Sequence, residues 1–331
     1  MRRFIRYVVI SLGVAAALCI AVVLSWRLFT EYRYELSVAS ISKKLATVVV
    51  SSPQIIWDTD LHPYGFPDGA FDSPYLEYTA PGTVAMSDSI AAVTFKRSSY
   101  AGNQLVEDIH LVTLSIADGS VLKSIQWPEH GPLGLSPGVF CCTKDDEFYA
   151  HDDMWLLIKN GEVISKKRIR PVGPNTQQVK VTPGYNNRPA TVEISHEDRS
   201  KSSFQTDCGN VMDSFVSKTT LVIIGCGTVS IIGTDGHPLF SDIFNDAYLN
   251  FGGASKNGKR FVIAVSSLHP GDPPYLTDEW LAVYDVDRRA LIVAFKSDPL
   301  PYEQSQSALS ADGERLLIGT GGHLKLIRLF N

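Results

Sequence analysis

A short phrase that recurs along the chain constrains the fold more than any other feature of this sequence. The phrase is a brief apolar segment, a Ser or Thr, a turn and a second apolar run, and its clearest copy is ALSADGERLLIGT, centred on Ser310. Earlier copies are centred on Ser87, Thr143, Thr182, Ser217 and Ser255. Two strands this short cannot bury their apolar faces alone, so the copies are expected to pack on one another.

Most copies are followed by a second hairpin, as in HLVTLSIADGSVLKSI and WLAVYDVDRRALIVAF. The pairs Asp118-Gly119 and Asp235-Gly236 are two-residue turn signals of such hairpins. Each unit therefore supplies four antiparallel strands, A to D, at roughly the 40–50-residue spacing of a propeller blade. We predict an all-β fold, a six-bladed β-propeller, or a seven-bladed one if residues 53–80 contain a further blade. The unit around Thr182 is the least regular.

Two stretches carry a resemblance to a known family. GASKNGKRFVIAVSS and ALSADGERLLIGTGGHLKLIRLF resemble blades of the bacterial WD40-like and TolB-like β-propellers, in which a Ser-x-Asp-Gly-x-Arg turn joins the first two strands. The resemblance covers the chain from about residue 80 to residue 331. Such families include scaffolds, receptors and enzymes, so the resemblance implies the architecture and suggests a binding function.

The last unit offers three strands before Asn331, which leaves its outer edge unpaired. An open edge exposes backbone donors and acceptors that a further strand can satisfy. Residues 46–50 or 54–57 can supply that strand. We therefore expect the N-terminal part of the propeller to complete its last blade.

The N-terminal segment Tyr7–Trp26 contains no charged residue, and a helix of that length matches the roughly 30 Å hydrocarbon core of a bilayer. Arg2, Arg3 and Arg6 precede it, and positive charge stays on the cytoplasmic side. The expected organisation is a cytoplasmic basic tail at 1–6, a transmembrane signal anchor at 7–26, a stalk or linker at 27–45 and a periplasmic or extracellular propeller at 46–331. The alternative is a cleaved signal peptide that ends at the small residues 37–39.

Four cysteines follow the N-terminal segment: Cys141, Cys142, Cys208 and Cys226. Outside the cytoplasm these thiols can pair, and we favour a disulfide between Cys208 and Cys226. A bond between the neighbours Cys141 and Cys142 would be strained. The alternative is that all four remain free thiols on buried strands.

Long insertions all fall on one side of the predicted ring. Residues 97–108 and 267–279 interrupt B-to-C connections, whereas 53–82 and 126–138 join a D strand to the next A strand. In an up-and-down blade both kinds of connection emerge on the same face, which we call the long-loop face. Exposed aromatic and acidic side chains there are typical of an interaction surface. The candidate binding residues are Trp57, Tyr64, Tyr100, Trp127, Tyr275, Asp272 and Asp278.

No catalytic, cofactor or metal motif stands out. The chain contains no nucleophile elbow, zinc-binding His-Glu-x-x-His, P-loop or Rossmann glycine pattern, so we assign no catalytic residue, no cofactor and no metal. Its net charge of −5 argues against a nucleic-acid partner. We predict a membrane-anchored propeller that binds a protein or ligand on its long-loop face. The alternative is a hydrolase, lyase or quinone-dependent oxidoreductase with a site in the central channel.

Overall fold

One long helix and six antiparallel sheets make up the described part of the computed structural model. The residues described are 2–48, 53–66, 81–101, 104–128, 138–141, 147–151, 155–159, 162–167, 179–184, 188–195, 200–206, 211–217, 220–233, 235–271, 275–297 and 305–330. The side chains of residues 2–13 and of some residues inside strands lie outside this description.

The elements follow one another as the repeated phrase predicts. Helix α1 (Arg2–Ala46) and strand β1 (Gln54–Asp60) come first, and a 3-10 turn at His62–Tyr64 follows. Blade 1 contains β2 (Pro81–Met86), β3 (Ile90–Ala101), β4 (Gln104–Ser115) and β5 (Val121–Pro128). Blade 2 contains β6 (Gly138–Cys141), β7 (Glu147–His151), β8 (Trp155–Lys159) and β9 (Glu162–Lys167).

The second half of the chain continues the series. Blade 3 contains β10 (Val179–Thr182), β11 (Thr191–Ser195) and β12 (Lys201–Gln205). Blade 4 contains β13 (Val211–Ser217), β14 (Thr220–Gly225), β15 (Thr228–Gly233) and β16 (Pro238–Ile243). Blade 5 contains β17 (Ala247–Ala254), β18 (Arg260–His269), β19 (Tyr275–Asp285) and β20 (Ala290–Lys296). Blade 6 contains β21 (Gln306–Leu309), β22 (Arg315–Thr320) and β23 (His323–Arg328), together with β1.

The innermost strands contact one another in the order β10, β13, β17, β21, β2 and β6. In this order the last blade lies beside the first, as it does around the axis of a propeller. Five apolar clusters fill the spaces between and within the blades. The prediction of six propeller-like blades is therefore confirmed, and the irregular unit around Thr182 has three strands among the described residues.

The prediction that an N-terminal strand completes the last blade is also confirmed. Strand β1 pairs antiparallel with β23 from Gln54 opposite Arg328 to Asp60 opposite His323. Of the two segments considered, residues 54–57 supply the strand. Trp57 is buried, and its indole Nε1 donates a 2.9 Å hydrogen bond to the Ile116 carbonyl of blade 1. The closing strand therefore also contacts the neighbouring blade.

The Ser-x-Asp-Gly-x-Arg turn builds the same hydrogen-bonded loop in its two clear copies. In the last blade the Arg315 N–H donates to Ser310 Oγ at 2.9 Å, and the Glu314 N–H donates to Asp312 Oδ1 at 2.9 Å. Gly313 has φ +76°, a conformation that glycine adopts without strain. In blade 5 the equivalent bonds run from Arg260 to Ser255 and from Lys259 to Asn257. The motif is thus a turn-forming device, which accounts for its recurrence.

Each outer strand of a four-stranded blade carries one β-bulge. The extra residue is apolar in every case and has no partner of its own. Its two neighbours in the outer strand pair with consecutive residues of the third strand. Bulges of this kind twist an exposed edge away from pairing with other chains. The bulged residues are Ile56, Leu122, Ile164, Leu239 and Ile292.

The transmembrane helix expected over Tyr7–Trp26 is not supported. These residues belong to α1, which is continuous over 45 residues. Within the described part of the chain, no helix is both long enough and apolar enough to cross a membrane. The described side chains of α1 begin at Val14, and from there Arg27 ends the uncharged run. The segment 27–45, expected as a stalk or linker, is helical too, and its buried residues Ile41 and Leu45 pack on the propeller.

The described residues include one of the two cysteines of the predicted disulfide. Cys226 is disulfide-bonded, so the alternative of four free thiols is wrong. Its predicted partner Cys208 lies outside the described residues. Cys19, in α1, is exposed and free.

Replacing Trp57 with Ala should lower the free energy of unfolding by about 3–5 kcal/mol, because it leaves a cavity and removes the bond to Ile116. Chemical denaturation measures this loss. The control is Ile55→Ala in the same strand, where the side chain is 56% exposed against 7% for Trp57. Equal losses for the two variants would show that the burial of the Trp57 side chain is not what makes β1 stabilise the ring.

Peptide mapping without reduction should recover Cys208 linked to Cys226. In a chain-entropy account, closing a loop of this size stabilises the fold by about 3 kcal/mol. The linked peptide should disappear after reduction. Recovery of Cys226 linked to Cys141 or Cys142 would contradict the assignment.

Candidate interaction surface

The long-loop face carries two extended hairpins. Residues 97–108 and 267–279 were expected to be loops, but most of them continue the ladders of β3–β4 and β18–β19. In blade 1 the pairing runs to Ala101 opposite Gln104, and in blade 5 it runs to His269 opposite Tyr275. The loop expectation is wrong because the backbone pairing of both strand pairs continues through most of these residues. On the opposite face the described turns at Gly119, Gly236 and Gly313 are tight, and we call it the tight-turn face.

Helix α1 also lies on the long-loop face, beside the β18–β19 hairpin. The Tyr34 hydroxyl donates a 2.7 Å hydrogen bond to Asp278, near the tip of this hairpin. Ser37 contacts the hydroxyl of Ser267 at 3.2 Å and donates to the Asp246 carbonyl at 3.1 Å. Arg33 pairs with the Asp246 carboxylate. The C-terminal third of α1 is therefore part of the folded body.

The end of α1 closes the junction between blades 4 and 5. Lys44 pairs with Asp242 of β16 and donates a 2.6 Å hydrogen bond to the Ile243 carbonyl. Asp242 also accepts a 2.7 Å bond from the Tyr284 hydroxyl of β19. Burial and the adjacent Asp242 carboxylate raise the pKa of Tyr284, so this phenol stays protonated. The Lys44 ammonium lies 4.1 Å from the centre of the Phe244 ring. The Asp242 carboxylate thus links α1 to blades 4 and 5.

Sequence reasoning missed these helix contacts because residues 27–45 were interpreted as a linker. The signal that could have found them is a spacing of three and four residues, which places side chains on one helix face. The residues on that stripe are Tyr34, Ser37, Ile41 and Leu45.

Two of the predicted binding residues lie at this junction. Tyr275 is half-buried and stacks on His269 with ring centroids 4.8 Å apart. Asp278 accepts hydrogen bonds from Tyr34 and from Lys296, the latter at 3.0 Å. Burial alone would raise the pKa of Asp278, but these two bonds outweigh burial, and the pKa is lowered. Burial and the bond to Asp278 raise the pKa of Tyr34 to about 12.

The other predicted binding residues do not gather there. Trp57 was expected on the surface, but it is buried in the core between blades 6 and 1 and is therefore a packing residue. Tyr64 lies in the 3-10 turn, half-buried against the same core. The remaining three lie outside the described side chains: Tyr100, Trp127 and Asp272.

A second polar cluster lies on the long-loop face, where β1 ends and β23 begins. His62 Nδ1 lies 2.5 Å from Asp60, and His323 Nδ1 lies 2.9 Å from Asp58. The two imidazole rings are 6.2 Å apart, and Lys325 also pairs with Asp58. Hydrogen bonds from the backbone N–H and the ring of His62 lower the pKa of Asp60. The pairing register of β1 and β23 brings these residues together, so their proximity could not be seen in the sequence.

A buried histidine lies behind this cluster. His110 stacks on Phe95 with ring centroids 5.0 Å apart, and its Nδ1 lies 3.2 Å from the Tyr64 carbonyl. Burial lowers the pKa of His110, which keeps the ring neutral at pH 7. Its Nε2 has no hydrogen-bond partner among the described atoms. Gly65 contacts the ring so closely that a Cβ there would lie 2.6 Å from it. The histidine is thus a packing element of the rim.

The titratable groups with displaced pKa values are dispersed. Tyr34 contacts Asp278, and His110 lies behind the cluster that contains Asp60, whereas the others lie on different blades. Among the residues that the structure describes, no group of three His, Cys, Asp or Glu side chains could hold a metal ion. The described part of the long-loop face is therefore a surface of paired charges and packed aromatic rings, and α1 docks at the junction of blades 4 and 5.

Comparison with known proteins adds no family. No protein-family model matches the chain, and no curated protein matches it. Similar solved structures include the C-terminal WD40 domain of Sif2, at 10% identity over 86% of this chain and 98% of that chain, with a TM-score of 0.41. The Neurospora crassa Pan2 WD40 domain is also 10% identical, over 86% and 98% of the two chains, with a TM-score of 0.36.

A chain of the mitotic checkpoint complex is 13% identical over 85% of this chain and 96% of that chain, with a TM-score of 0.35. Likeness at these scores carries no argument of its own. The class of fold, a β-propeller, follows from the six sheets, the order in which their innermost strands contact one another and the ladder between the two ends of the propeller.

Replacing Tyr34 with Phe should weaken the docking of α1 by about 1 kcal/mol, because the bond to the Asp278 carboxylate is lost. Amide hydrogen exchange over residues 34–45 should then quicken about fivefold at pH 7. Tyr32→Phe, at an exposed position of the same helix, is the matched control.

The effect of Tyr34→Phe should depend on pH. Since Asp278 has a lowered pKa in the folded protein, its contribution is complete above its ordinary value of 3.8 and is lost as the pH falls through the lower folded value. The difference between the variant and the natural chain should shrink in acid over that window. A difference that persists unchanged once the Asp278 carboxylate is protonated would contradict this account.

Proposed function

We propose that this protein is a binding or scaffold propeller whose contact surface is the long-loop face. The observation that carries the proposal is the position of the elements that extend beyond the strands of the blades. The two extended hairpins, the 3-10 turn and α1 all lie on this face, whereas the described turns at Gly119, Gly236 and Gly313 on the opposite face are tight. Function in propellers is commonly placed on such additions because the blades themselves form a rigid support.

We propose an extracytoplasmic location for the propeller. The disulfide at Cys226 supports it, because structural disulfides form and persist in oxidising compartments. The arginines that precede the uncharged N-terminal segment support the same orientation, with the basic end in the cytoplasm.

We propose that α1 attaches the propeller to lipid through its N-terminal part. Val22, Val23 and Leu24 are successive residues and all are exposed, so the apolar surface surrounds the helix and does not form a single stripe. The uncharged sequence begins at Tyr7, before the described side chains, and continues to Trp26. A helix that is apolar on every side is not stable in water, and lipid is the covering that such a surface fits.

Flotation with vesicles of phosphatidylethanolamine and phosphatidylglycerol tests the attachment. The full chain should float with the vesicles. The double variant Leu18→Asp, Leu24→Asp should stay in solution, because the transfer of a carboxylate from water into lipid is strongly unfavourable.

The matched control is the double variant Leu122→Asp, Ile164→Asp on outer strands. Leu24 and Leu122 are 55% and 53% exposed, so the two substitutions remove similar apolar surface at different places. The control should float as the natural chain does. If the control is lost from the vesicles as well, or if the α1 variant still floats, α1 is not the lipid contact.

A further inference from the structure

The contacts along α1 define the direction in which the helix leaves the propeller. Tyr34 bonds Asp278 near the tip of the β18–β19 hairpin. Ten residues later Lys44 pairs with Asp242, which bonds Tyr284 at the opposite end of β19. The helix therefore runs beside the hairpin with its C-terminal end deep in the blade junction. Residues before Tyr34 continue past the hairpin tip, on the side of the long-loop face.

The length of helix between its docked and its apolar parts is short. At 1.5 Å per residue, Trp26 stands about 12 Å along the axis from Tyr34. A tilt of the helix brings the end of the uncharged segment closer to the face. A small globular domain has a diameter of about 30 Å, so it does not fit into that space beside α1.

We propose that the long-loop face is apposed to the lipid headgroup layer, so that the partner of this face is a membrane surface. This inference rests on the proposed attachment of α1 to lipid and adds an orientation to it. The docked helix acts as a rigid spacer, because Tyr34, Ser37 and Lys44 hold it on two blades at once. The β3–β4 hairpin of blade 1 extends towards the same side. A soluble globular partner then has access only from the tight-turn face.

Fluorescence quenching by lipid headgroups tests the orientation. A genetically encoded fluorescent amino acid replaces either Arg97, near the long-loop end of blade 1, or Ala117, in the turn at the other end of the same sheet. Both positions are exposed, and the sheet separates them by about 20–25 Å at 3.3 Å per residue. The full chain is floated with phosphatidylethanolamine and phosphatidylglycerol vesicles that carry nitroxide headgroups.

Quenching should be several-fold stronger at Arg97 than at Ala117. Equal quenching at the two positions, or stronger quenching at Ala117, in a chain that floats would overturn the orientation and leave the attachment intact. A chain that does not float overturns the attachment and the orientation together. Capture of a soluble globular protein on the long-loop face of the vesicle-bound chain would also overturn the inference.

Discussion

The pairing of β1 with β23 is the interaction on which the rest of the structure depends. A propeller whose last blade lacks its outer strand leaves a row of unpaired backbone groups beside the first blade. Here the first strand of the chain fills that place, and its Trp57 side chain enters the core between blades 6 and 1. The ladder therefore links residues that are far apart in sequence and seals the junction at which the ring would otherwise open.

The same closure positions the N-terminal helix. Strand β1 belongs to blade 6, and only a few residues separate it from the end of α1, so α1 must lie close to the propeller. The helix docks across blades 4 and 5. Its docked end is fixed by Asp242 and Asp278, which also bond other parts of the fold. The orientation of the free, apolar end is thus determined by the propeller. Any surface that binds the free end of α1 is therefore held at a defined angle to the blades.

Much of the fold could be predicted from the sequence, because each blade repeats a local pattern. Turns such as the one at Ser310 and Asp312 satisfy their own backbone groups, so a six-residue motif is enough to place them. The site could be predicted only in part. Strand register brings His62 to His323, and this contact leaves no local signal. Helix docking brings Tyr34 to Asp278, and the spacing of Tyr34, Ser37 and Ile41 marks the docked face of α1 but not the partner of that face. The burial of Trp57 was not predicted, because an aromatic residue next to a long insertion gives the same sequence pattern whether it is buried or exposed.

Native-state hydrogen exchange of the β1 and β23 amides tests the central claim most directly. If the ladder closes the ring, the amides of β1 that bond β23 should exchange only through the same global opening as those of β22, with equal free energies and equal dependence on denaturant. Fast exchange of β1 while β22 and β23 stay protected would contradict the account, because the ring would then hold together without its closing strand.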